Sequence, residues 1–83
     1  MKRINETKQI KRVRLENTTE NHFKEYEIEI MRYGTEYEVK ASWGRIGATP
    51  QSQTKYSGYS EDEAYATLWD LYNQKTKKGY KEC

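Results

Sequence analysis

The residues best suited to chemistry in this chain stand together in Trp43-Gly44-Arg45-Ile46-Gly47. A flat indole and a guanidinium fork flank Gly44, and Gly47 follows. Such a set suits a nucleic-acid end. The indole can lie against a sugar or base, the Arg can hold a phosphate bidentately, and Gly44 lets a ligand approach the backbone. Further along, Lys75, Lys77 and Lys78 form a second basic group, with Tyr80 behind them. Spacing alone leaves two readings open for Trp43. It is either a ligand platform or the last core residue of its strand, because its parity matches Tyr37, Val39 and Ala41. The lysines equally suit the negative end of a helix dipole. Arg45 is the sharpest candidate, since a guanidinium between glycines has no core role.

A catalytic constellation is missing, so no enzyme is expected. The single His, His22, lies in a polar loop without an obvious partner, and the single Cys, Cys83, excludes a disulfide framework or a Cys-based zinc site. The carboxylates fall on strand alternation sites or at a helix start, where structural roles explain them. The chain has no Ser/His/Asp set, no phosphate-cradling GxxxxGK[ST] and no metal-ligand spacing. Neither cofactor nor metal is expected.

These residues must be positioned by a small fold. The chain has 83 residues, enough for one domain that buries about 60% of its unfolded surface. Hydrophobic residues make 34% and charged residues 34%, a balance that leans towards disorder, but aromatics reach 13%, with eight Tyr. Tyrosine bodies must therefore supply much of the core, their hydroxyls at its rim. No apolar run approaches a membrane span and no signal peptide is recognisable, so a soluble, cytoplasmic protein is expected. The net charge of +2 hides a pattern. Residues 1–14 are basic, residues 15–40 carry seven Glu against three cations, and residues 75–81 carry four Lys. A basic patch arises if the fold brings the two ends together.

Periodicity supplies the elements. Val13 and Leu15 alternate with Arg12 and Arg14 in a first strand over Gln9–Leu15. Tyr26, Ile28 and Ile30 alternate with Glu25, Glu27 and Glu29 in a second over Lys24–Arg32. After a turn at Gly34, Tyr37, Val39, Ala41 and Trp43 define a third strand that ends at Trp43. The outer face of this hairpin holds several Glu opposed by few cations, so it should not attract nucleic acid. Arg45 then lies in a loop closed by Pro50, after which Gln51–Tyr59 is a fourth strand with Thr54 and Tyr56 on one face. Ser60 caps a helix, Glu63 closes a capping box, and Ala64, Tyr65, Leu68, Leu71 and Tyr72 form the stripe that covers the sheet. Gly79 stops it. The result is an α+β fold: a small antiparallel β-sheet of about four strands with one α-helix packed across one face. Residues 1–8 are read as a flexible N-terminal segment, 9–80 as the domain and 81–83 as a C-terminal tail.

Trp43-Gly44-Arg45 followed by Ile46-Gly47 resembles the signature of the WGR domain, a family found in poly(ADP-ribose) polymerases and in small bacterial proteins, some MolR-like. The resemblance extends to Asn21-His22, Lys24 and Tyr26-Glu27-Ile28 at the start of the second strand. It continues through Gln51 and Thr54-Lys55, Ala64 and Leu71-Tyr72, and Lys75-Thr76-Lys77-Lys78-Gly79-Tyr80. Three positions depart from the family pattern. Phe23 replaces a usual Asn, Glu25 a usual aromatic, and Pro50 a frequent Gly.

The resemblance implies a sheet crossed by one helix and a module that binds DNA at strand breaks. It implies that Trp43 packs on a terminal sugar, that Arg45 serves the DNA or a domain interface, and that Lys75 approaches the backbone. The aromatic that closes the segment falls on Tyr80. These residues leave no room for a polymerase domain or zinc fingers, so break signalling is not carried over. Two functions follow. The first is nucleic-acid binding, DNA foremost, to backbone and ends, with Arg12 and Arg14 as further candidates for the contact surface. The second is an accessory module that docks on a larger bacterial protein, with Trp43 and nearby tyrosines as anchors.

Overall fold

The computed structural model describes residues 7–19 and 23–83. Lys2 and Arg3 of the basic N-terminal stretch, His22, and the Asn21-His22 pair of the resemblance lie outside the described residues.

The order of elements is β1 (Thr7–Asn17), β2 (Lys24–Tyr33), β3 (Glu36–Arg45), β4 (Gln51–Gly58), α1 (Glu61–Lys77) and β5 (Lys81–Glu82). The strands form one antiparallel sheet in the order β4-β3-β2-β1-β5. Alternation along β2 and β3 places Tyr26, Ile28, Ile30, Val39 and Ala41 on one face, where Val13 and Leu15 of β1 join them. Ala64 and Leu68 of α1 close this core from above. The opposite face of the sheet carries the glutamates.

Three details differ from expectation. First, the sheet has five strands, because Lys81 and Glu82, read from sequence as tail, pair with Glu16 and Leu15. A two-residue strand has no periodicity to reveal it. Second, β1 begins at Thr7, where it pairs with Tyr33, so residues 7 and 8 belong to the sheet. Third, β3 runs past Trp43 to Arg45, because Gly44 and Arg45 pair with Glu25 and Lys24 of β2. Arg45 is thus a strand residue held opposite Lys24, and the loop starts only after it.

The fourth strand also differs in its faces. Val39 pairs with Tyr56, but its neighbour Lys40 pairs with Thr54, so Lys55 is an extra residue in β4. This bulge puts Tyr56 on the helix side and Thr54 on the outer side, although simple alternation puts them together.

Both ends of α1 are tightly specified. Ser60 accepts the N–H of Glu63 at 3.1 Å, and Glu61, Asp62 and Glu63 occupy the positive end of the dipole. The expected capping box closes through a third residue. The Ser60 N–H donates to the Tyr56 hydroxyl, which donates to Glu63 Oε1 at 3.0 Å. At the other end, Gly79 N–H bonds Thr76 O and Tyr80 N–H bonds Lys75 O, the paired bonds of a Schellman turn. Gly79 has φ +100, and a Cβ there would stand 3.3 Å from Asn17 Nδ2. Asn17 is buried, and its amide donates to Lys78 O, tying the end of β1 to the end of the helix.

Candidate nucleic-acid interface

Two adjoining clefts open at the end of the sheet where β2 starts and β3 stops. One, of about 270 Å³, is lined by Phe23, Lys24, Trp43, Gly44, Arg45 and Tyr80. The other, of about 200 Å³, is lined by Tyr26, Trp43, Gln53, Lys55, Lys75 and Tyr80. Trp43 and Tyr80 line both.

The fold builds this place from four elements. Trp43 pairs with Tyr26 across β2 and β3, and their rings lie 6.3 Å apart, near parallel at 25°. Trp43 packs at the edge of the core and keeps part of its surface exposed to both clefts. Tyr80 arrives from the Schellman turn and meets Tyr26 edge-on at 6.2 Å. The same turn holds Lys75, whose Nζ lies 4.6 Å from the Tyr26 ring and 5.7 Å from that of Tyr80. The bulge in β4 aims Lys55 at Trp43, with Nζ 5.8 Å from the indole. Gly44, at φ +155, gives the last turn of β3 a backbone that other residues rarely adopt.

Electrostatically the site is one-sided. No carboxylate lines either cleft. Lys24 and Arg45 face each other across the strands, a like-charge pair that a sheet tolerates only at a cost. Burial pushes the Lys75 amine below the usual lysine range, and the charges of Lys78, Lys55 and Lys24 push it further. The Tyr26 hydroxyl is raised, first by burial and then by Tyr80. A set of cations that raise one another's energy, framed by aromatic rings, is chemically suited to anions attached to flat or apolar groups.

Of the candidate residues, Trp43, Gly44, Arg45, Lys75 and Tyr80 come together here. Lys78 caps the helix and acts through its field on Lys75. Lys77 is exposed on the last helical turn and lines neither cleft. Arg12 and Arg14 are excluded from this surface. Both lie on the opposite face of the sheet, ion-paired to Glu27, and to Glu16 and Glu25. Glu25 and Glu27 of the hairpin therefore have cationic partners, supplied by β1. Sequence reasoning missed Phe23, Lys24, Tyr26, Gln53 and Lys55 as site residues. Lys24 was discoverable as the cross-strand partner of Arg45. Lys55 was not, because its aim depends on the bulge.

Among the described residues no group of His, Cys, Asp or Glu is placed to hold a metal, and no helix is long and apolar enough to cross a membrane. Comparison with curated proteins and with solved structures gives no match. The family model for the WGR domain matches residues 11–83, from β1 through β5. With the Trp43-Gly44-Arg45 signature at the mouth of both clefts and the match spanning nearly the whole chain, the protein belongs to the WGR domain family.

Proposed function

We propose that this domain binds nucleic acid, DNA foremost, through the paired clefts at the Trp43 end of the sheet. WGR domains serve as nucleic-acid-binding modules in the poly(ADP-ribose) polymerases. The observation that carries the reading is a partly exposed indole flanked by Lys55, Lys75, Lys24 and Arg45, with no carboxylate lining the clefts. In this reading Trp43 packs against a sugar or base, while the four cations take phosphates. The contacts are to backbone and ends, with little base readout. A cytoplasmic setting, where nucleic acid is accessible, suits it.

The test is a fluorescence titration with a short duplex at two salt concentrations. If four cations each neutralise a phosphate, affinity should fall about a hundredfold between roughly 50 and 200 mM salt. Lys55→Ala, at an exposed position, should lower the logarithmic salt slope by about 1. Negligible binding at both concentrations, unchanged in Lys55→Ala, would sink the reading.

The opposite face gives a second reading its own observation. It presents Glu29 and Glu38, outside the ion pairs that Arg12 and Arg14 make, uncovered by any helix, while on the helix side Trp69 is 42% exposed. An accessory module would use these surfaces on a basic protein partner. A stoichiometric partner that survives nuclease and is lost in Glu29→Lys would favour docking over nucleic-acid binding.

A further inference from the structure

We propose that Phe23 is the platform for one unpaired base, so that the domain prefers DNA with a single-stranded overhang to a blunt duplex; this rests on the nucleic-acid reading above. Three observations carry it. The first is where an apolar ring is left in water. Phe23 is the only Phe of the chain and is 49% exposed. Surface rings scattered singly need no explanation, but Phe23 stands in the larger cleft beside Trp43 and Tyr80, an apolar patch rimmed by Lys24 and Arg45. Among the described residues, the other large hydrophobics exposed to this degree are Tyr33, Tyr59 and Trp69. The two tyrosines offer water a hydroxyl, Lys11 lies over Trp69, and none of the three lines either cleft.

The second is availability. The other rings at this end of the sheet are engaged. Tyr26 stacks on Trp43 and meets Tyr80 edge-on. Lys55 lies over Trp43, and Lys75 over Tyr26 and Tyr80. Among the described residues, Phe23 makes neither an aromatic pair nor a cation–π contact. Its backbone is nevertheless fixed. Ile46 N–H donates to Phe23 O at 2.8 Å, and the next residue, Lys24, pairs with Arg45. The ring thus stands on an anchored backbone with its face open to a ligand.

The third is what a ring adds to cations. Lys24 and Arg45 need only phosphates, which a duplex and a single strand both offer. A phenyl face gains most against the face of a base, and inside a duplex those faces are covered by the stack. Unpaired bases can be splayed out onto aromatic side chains. A blunt end also shows the face of its last base pair, but that face is a broad plate. A concave cleft of about 270 Å³ admits one base rather than a pair. The second cleft shares Trp43 and Tyr80 with the first, and its Lys55 and Lys75 suit the phosphate of the adjoining nucleotide. One strand then crosses both clefts, with its unpaired base on Phe23.

The test uses the full chain and labelled DNA in a fluorescence polarisation titration. The probes are a blunt duplex, the same duplex with a short unpaired overhang of either polarity, and that overhang built of abasic residues, which keep the phosphates and lack the bases. An overhang of at least one polarity should strengthen binding about tenfold, the worth of one stacked base. Phe23→Ala should abolish this advantage, yet leave blunt-duplex affinity and the salt dependence unchanged, because no charge is lost. Phe23→Trp should retain it. Equal affinity for blunt and overhanging DNA overturns the platform and leaves the nucleic-acid reading standing. So does an advantage that survives Phe23→Ala or that the abasic overhang reproduces. No binding of any probe at low salt overturns both.

Discussion

Gly79 illustrates how much a single residue can decide. Its φ of +100 is open to glycine and strained for other residues, and the space where a Cβ would go is held by the Asn17 amide at 3.3 Å. Gly79→Ala should therefore cost about 1 kcal/mol or more of stability, measured by denaturant unfolding. It should also weaken nucleic-acid binding, because the same turn sets Lys75 and Tyr80. A matched substitution at Gly47, where a Cβ would meet nothing within 4 Å, should spare the turn and leave Lys75 in place. At this scale the sequence was informative where a residue's role is local. Gly79 reads as a helix stop from its neighbours alone. Arg12 and Arg14 read correctly as outward residues of the first strand, but their ion pairs did not, because Glu27 and Glu25 sit on another strand.

The elements were legible in proportion to their length and their periodicity. Three residues inward and three outward were enough to define β2, and Ser60 with its acids defined the start of α1. The bulge at Lys55 and the two residues of β5 were not legible, since both exist only through pairing with a distant strand. The N-terminus of α1 offers a test at this scale. Ser60→Ala should cost about 1 kcal/mol through the lost cap. Tyr56→Phe should cost a similar amount, about 1 kcal/mol, because it breaks the bridge between the Ser60 N–H and Glu63. The two share partners, so the double variant should cost less than the sum, as a double-mutant cycle by thermal or chemical unfolding would show.

For the whole molecule, the tyrosines make a prediction about pH. Burial raises the hydroxyls of Tyr26, Tyr33 and Tyr56 above 10.0, and the bond to Glu82 does the same for Tyr72. Above that ordinary value the unfolded chain sheds protons before the folded one. Stability that is fully present below pH 10 is then lost as pH rises through the folded values. Lys75 acts in the opposite sense. Its lowered pKa makes the charged form costly, so its share improves as pH rises towards 10.5. Four tyrosines set against one lysine should win. The denaturation midpoint should fall as pH rises above about 10, with Tyr26→Phe blunting the fall.

The cleft is assembled from residues far apart along the chain, Phe23 to Arg45 on one side and Lys75 to Tyr80 on the other. This fixes when the site comes into being. A nascent chain that has emerged only as far as Arg45 can pair β2 with β3 and present Trp43, yet it has neither the amine nor the second wall. Only when Tyr80 has been made, and Lys81 and Glu82 can pair with β1, does the surface become complete. Pairing of the central hairpin and completion of the site are therefore separate events during synthesis, because the segment that closes the clefts, Lys75 to Tyr80, is made well after β2 and β3.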